Sequence, residues 1–166
     1  MTDATSPEKV PSVLTESIKQ SVLSTFATIC GTALGYQGET ASQATCDGVV
    51  GIIGIVGDEP FSLMLGLPRA TAPALVEKFT GFPIPYDSAD MGDMVGEFAN
   101  FLGGDIVARL ETHRVKASIS LPTVIRGSNV EMLLPQGQPG CRLAFSSPCG
   151  DFWVRVACKR RPTTGR

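Results

Sequence analysis

Histidine is nearly missing from this sequence. His113 is the single imidazole, which excludes a His-rich metal site, and its place at the end of an expected helix suits a cap or surface group. The five cysteines (Cys30, Cys46, Cys141, Cys149, Cys158) are odd in number and contain no C-x-x-C pair, so neither a zinc ribbon nor a redox motif is supported. They are expected to be buried, reduced thiols. Charge is also scarce, at 18% of residues against a usual share of about 25%. A net charge of −2 argues against a general polyanion binder, so no nucleic-acid partner is expected. No apolar run approaches the ~20 residues needed to cross a bilayer, since the longest, Val49 to Val56, is broken by Gly51 and Gly54. The polar start, with Asp3, Glu8 and Lys9, lacks the basic-then-apolar pattern of a signal peptide. A cytoplasmic protein without membrane contact is the expectation.

What is present suffices for one ordered domain. The length of 166 residues allows burial of ~70% of the surface that an unfolded chain exposes. The 18 glycines and 12 prolines fall below the roughly 25–30% share that marks disorder. Residues 1–11 read as a loose tail, 12–158 as a single domain, and 159–166 as a basic, solvated tail.

Along the chain, Ser12 or Thr15 is expected to cap a helix whose apolar stripe runs Leu14, Ile18, Val22, Phe26, Ile29, Cys30 and Ala33. The polar run Gln37 to Gln43 reads as a loop. Gly48–Val56 and Phe61–Leu67 read as strands joined by the hairpin turn Gly57-Asp58-Glu59-Pro60. The glycines at 48, 51, 54 and 57 do not form a phosphate loop, because a second strand follows where a helix N-terminus is required. Pro68 is expected to open a short helix over about 69–79, and a long helix runs from about Ser88, with Ser88 or Asp90 as its cap, to Thr112. Val115–Leu121 reads as a strand broken by Pro122, and Thr123–Ile125 as a short one ending at an Arg126-Gly127 turn. Val130–Leu134, Arg142–Phe145 and Phe152–Cys158 follow as further strands. Trp153 is expected in the core or at an interface between copies. The order predicts an α/β (α+β) layered domain with an antiparallel or mixed sheet, in which a helix-plus-strands unit occurs twice.

The long helix carries the chemistry. At ~100° per residue, Met91, Val95, Phe98, Leu102 and Ile106 share the buried face with Ala99 beside them. Opposite, Asp93, Glu97, Asn100 and Gly104 fall within a stripe roughly 60° wide. Spacing alone is equally the mark of a solvated face. Gly96, Gly103 and Gly104 change the balance, since each costs roughly 1 kcal/mol in a helix relative to Ala. Gly96 and Gly104, on or beside the stripe, point to close approach of another backbone or ligand; the competing reading, that Gly103-Gly104 ends the helix, is disfavoured because Ile106 and Leu110 resume the apolar face at helical spacing. A primary amide such as Asn100 is no base at neutral pH, but it has a donor and an acceptor and can hold a water in line with a phosphoryl group. An ionised Glu97 one turn away can pair with a partner's cation. Met94 and Phe101 flank the stripe and could add apolar contact to a partner, although partial burial against neighbouring strands is the favoured reading.

These residues resemble a known family, the CheX branch of the CheC/CheX/FliY chemotaxis phosphatases. The resemblance rests on Asp93-x3-Glu97-x2-Asn100-x3-Gly104 and on Ser120-Leu121-Pro122-Thr123-Val124-Ile125-Arg126-Gly127 after the long helix. With the element order it extends over residues 12–158. It implies a two-layer CheC-like domain, with long helices on a largely antiparallel sheet and pseudo-repeated halves. It further implies hydrolysis of the aspartyl phosphate on a CheY-like response regulator in chemotaxis or related two-component signalling, with Mg2+ bound by the regulator and no metal bound by this chain. Carried over by motif position, Asn100 orients the attacking water and Glu97 pairs with the regulator's lysine. Asp93, Gly96 and Gly104 would contact the substrate protein, Gly104 by allowing close approach. The first helix has Glu16, Lys19 and Gln20 but no Glu-x-x-Asn pair, so one active centre is expected. The resemblance also implies a homodimer. The alternative is an adaptor that binds a receiver domain through the same face without turnover.

Overall fold

The computed structural model describes residues 9–41 and 45–159. The elements in chain order are α1 (Ser12–Thr28), β1 (Gly35–Thr40), β2 (Thr45–Gly57), β3 (Phe61–Pro68), α2 (Ala72–Thr80), α3 (Ala89–Thr112), β4 (Ala117–Ile119), β5 (Thr123–Glu131), β6 (Gly140–Ser146) and β7 (Phe152–Cys158). The strands make one antiparallel sheet in the order β1-β6-β7-β3-β2-β4, with β5 also on β2. The two-layer α/β architecture with an antiparallel sheet matches the expectation from the sequence.

The sheet order reveals two interlocked halves, α1-β1-β2-β3 and α3-β4/β5-β6-β7. Each half contributes a hairpin-like pair, β2–β3 and β6–β7, and these meet at the centre where β3 runs against β7. The first strand of each half crosses to the other half's hairpin: β1 pairs with β6, and β4 and β5 pair with β2.

The core lies between helices and sheet and is threaded by aromatic rings. Phe79 stacks on Phe98 at 5.2 Å, Phe98 meets Phe26 edge-on at 4.8 Å, Phe26 stacks on Phe152 at 4.7 Å, and Phe152 on Phe145 at 5.4 Å. All three helices are thereby joined to β6 and β7 through side chains that each bury a large apolar area. On the other face of the sheet a smaller cluster gathers Cys46, Val50, Met64, Trp153 and Ala157. Trp153 therefore lies in the interior of the chain itself. Cys30, Cys46, Cys141 and Cys158 are buried and Cys149 is half-buried, all as free thiols. Burial pushes the thiols up, to about 11 for Cys30, Cys46 and Cys158 and about 12 for Cys141.

Several local expectations are corrected. Strand β1 (Gly35–Thr40) takes in residues 37–40 of the loop expected over 37–43, whose residues 42–43 lie outside those described. Backbone groups of an edge strand pair whatever its side chains, and polar ones are tolerated because its faces are open to water. Pro68 closes β3 and Pro73 takes the first turn of α2, three residues later than expected. Neither Ser12 nor Thr15 caps α1: Pro11 is the cap residue, and Thr15 Oγ1 donates to the Ser12 carbonyl. That helix stops at Thr28, where Thr32 N–H returns to the Phe26 carbonyl at 3.1 Å over a left-handed Gly31, and Ala33 is left exposed. The strand expected over 115–121 is only Ala117–Ile119. Arg126-Gly127 is no turn, since β5 runs straight through it, and the strand expected at Val130 is its continuation. The chain kinks at Asn129 (φ 51), whose N–H donates to Asp47 Oδ1 at 2.7 Å beside an irregularity in the β2–β5 register. The expected tails fall largely outside the described residues, at 1–8 and 160–166.

Candidate active site

Helix α3 starts where the sequence places it. Ser88 caps it, its hydroxyl accepting from the Met91 N–H at 3.3 Å, and Asp90 stands in the first turn. The start is clamped from the sheet: Arg126 of β5 donates from one nitrogen to the carbonyls of Tyr86 (2.9 Å) and Ser88 (2.7 Å). Arg69 lies over the Tyr86 ring at 4.2 Å and reaches Asp87 at 3.5 Å. At the far end Arg109 pairs with Asp105 at 2.8 Å and donates to Ser24 Oγ of α1 at 2.7 Å. The helix runs without interruption through Gly103-Gly104.

The glycines divide by role. A Cβ on Gly103 would stand 3.0 Å from Ile53 Cδ1 and 3.3 Å from Ile119 Cγ2, and one on Gly96 would stand 3.4 Å from Val124 Cγ2. Across from them, a Cβ on Gly51 of β2 would meet Ala99 at 3.1 Å. Small residues on both partners thus let α3 lie directly on β2 and against the β4–β5 corner. Gly104 differs: it is exposed, and nothing lies within 4 Å of where its Cβ would be.

Asp93, Glu97, Asn100 and Gly104 form one line along the outer side of this seated helix. Asp93 and Glu97 are exposed, Asn100 is half-buried, and Gly96 is buried beneath them. Among the described residues, the side chains of Asp93, Glu97 and Asn100 make no ion pair or hydrogen bond with the rest of the chain, so their polar atoms are available to a partner. Ser88, Gly92, Asp93, Gly96 and Glu97 form one wall of an open cleft of about 660 Å³ whose other wall is Pro122, Val124 and Arg126. Among the described residues no group of three or more His, Cys, Asp or Glu is placed to hold a metal ion, and no helix is long and apolar enough to cross a membrane.

The sequence matches the family Chemotaxis phosphatase CheX over residues 49–146. The chain belongs to the CheX family of chemotaxis phosphatases. A comparison with curated proteins finds no match. Solved structures share the CheX fold at low identity. A CheC-like superfamily protein from Shewanella sp. PV-4 is 20% identical with a TM-score of 0.82, covering 91% of this chain and all of that one. The chemotaxis protein CheX from Desulfovibrio desulfuricans is 21% identical with a TM-score of 0.79, covering 88% and 99%. A CheX–CheY–BeF3–Mg2+ complex from Borrelia burgdorferi contains a chain 20% identical with a TM-score of 0.72, covering 89% and 98%.

One feature of this candidate site was not read from the sequence, and a second was read only as the less favoured alternative. Arg126 was taken as part of a turn, yet it is the clamp on the first turn of α3. Phe101 is 49% exposed, where partial burial was expected; Met94 is half-buried as anticipated. The Ser120–Gly127 match was the available signal for the first. Helical phase, which puts Phe101 beyond Glu97 and away from the strands, was the signal for the second.

Proposed function

We propose that this CheX protein hydrolyses the aspartyl phosphate of a CheY-like receiver domain by inserting the Glu97–Asn100 face of α3 into the receiver's active site. The observation that carries this reading is the free, outward line of Glu97 and Asn100 on a helix held rigidly at both ends. Asn100 holds a water in line with the phosphorus; the water oxygen bonds to phosphorus as the bond to the aspartyl oxygen breaks. The products are the free carboxylate and inorganic phosphate. The amide takes no proton, which passes to phosphate or solvent. Glu97 pairs with the receiver's lysine and fixes the register of the two proteins. Mg2+ is carried by the receiver, in keeping with the Borrelia complex, which contains CheY, BeF3 and Mg2+. Asp93 contributes a supporting polar contact and Gly104 leaves room for the receiver backbone, while Gly96, whose missing side chain seats α3 against Val124, lies in the wall of the same cleft. The chain acts in the cytoplasm as a homodimer, and residues 12–158 are its single working domain.

The test follows decay of a phosphorylated CheY-like receiver in excess Mg2+ with and without the chain. Acceleration that saturates with receiver is expected. Binding without acceleration would support the adaptor reading instead.

A further inference from the structure

The polar stripe is bordered by exposed apolar side chains on both sides. On one side, Ile119 lies at the level of Gly103 and Pro122 at that of Gly96, so the intervening corner runs beside Asn100. At that corner Leu121 is 90% exposed. On the other side, Phe101 follows Glu97 round the helix by ~40° and is 49% exposed. Single exposed apolar residues are ordinary. Two of them bracketing the line of free polar groups, one from the helix and one from the sheet corner, form the arrangement of a binding centre with a water-excluding border.

We infer that Leu121 and Phe101 are the apolar grips for the phosphorylated receiver, resting on its surface at either side of the phosphorylation pocket. This rests on the reading of Glu97 and Asn100 given above and extends it to the determinants of substrate affinity. The receiver is the occupant because the two side chains border the stripe that would enter it: a body close enough for Asn100 to reach the phosphoryl group must cover both. Closing these borders removes water around the Glu97 ion pair, which strengthens it, and keeps bulk water from competing with the one that Asn100 positions.

Leu121→Ser and Phe101→Ser change exposed positions and leave folding intact. Ile125→Ser serves as control: it is also exposed, but it neighbours Val124 in β5 and so lies on the face of the sheet away from α3. With a phosphorylated receiver that the wild-type chain turns over, each grip variant is expected to raise KM about tenfold, with kcat held within about twofold. Affinity for the receiver loaded with BeF3 and Mg2+ should fall in parallel, and Ile125→Ser should match wild type. Unchanged KM and affinity in both grip variants would overturn the inference, as would a loss confined to kcat. Asn100→Ala, measured alongside, separates the two levels: if it lowers kcat while the grip variants do nothing, the stripe reading stands and the grips fail. If Asn100→Ala leaves kcat intact, or no receiver is dephosphorylated, the stripe reading fails and this inference with it.

Discussion

Helices α1 and α3 open the two interlocked halves of the domain and share a phase of burial, yet the proposed site lies on α3 alone. Setting Leu14 and Ile18 of α1 in phase with Met91 and Val95 of α3 puts Gln20 at the place of Glu97, Leu23 at that of Asn100 and Lys19 at that of Gly96. The seats differ as well. Where α3 has Gly103 flat against Ile53, α1 has Phe26, stacked on Phe152 of the sheet. Where α3 has bare Gly96 under its stripe, α1 has Lys19, which pairs with Glu16 at 2.7 Å and lies 5.3 Å from the Tyr36 ring centroid. Their hydrogen bond draws the Glu16 carboxyl down and the Lys19 ammonium up from their ordinary values, so both stay charged. On the proposed reading, the Glu-x-x-Asn pair is only the visible part of the site. Beneath it is a helix lowered onto glycine, with room left for another protein to come close.

The contrast can be tested from both sides. The largest effect is expected at Phe26→Ala, which removes the ring on which α1 stands; chemical denaturation should show a loss of about 3–5 kcal/mol, and a loss under 1 kcal/mol would mean that α1 is not held up by this ring. Next is Asn100→Asp, which keeps the shape, removes the amide donor and places negative charge towards the phosphoryl group. A fall in kcat of about a hundredfold is expected, whereas Leu23→Asp at the matching place on α1 should spare kcat in the protein that remains folded. Gly103→Leu asks the converse of Phe26→Ala: overpacking against Ile53 and Ile119 should cost about 1–3 kcal/mol in denaturation, with the cleft geometry disturbed and KM raised. The smallest effect is expected from grafting Gln20→Glu and Leu23→Asn into an Asn100→Ala background. No activity should return, because Lys19 still fills the place of Gly96; recovery of turnover would show that the pair alone makes a centre.

Much of this was legible in the residues because the deciding features are periodic. The apolar phase of Met91 to Ile106 fixes which side of α3 faces water, and the Ser88 cap fixes where it begins. The hairpin from Gly48 to Leu67 was equally readable from its two β-rich runs and the turn between them. What escaped depends on contacts between distant segments. Strand β1 forms because β6 offers it a backbone edge, a reason absent from Gly35–Thr40 itself. The Arg126 clamp exists because β5 passes under the start of α3, and the exposure of Leu121 arises where β4 and β5 turn the corner beside Asn100. The interlocked order of the halves is likewise a long-range property, set by β1 and β5 each crossing to the other half's hairpin.

In the proposed mechanism Asn100 acts on the reaction and not on docking. The most direct measurement compares wild type and Asn100→Ala in two assays on the same receiver: affinity for its BeF3–Mg2+ form, and the rate of decay of its phosphorylated form under saturating protein. Affinity should stay within about threefold of wild type while the rate falls about a hundredfold. Equal rates for the two proteins at saturation would contradict that mechanism.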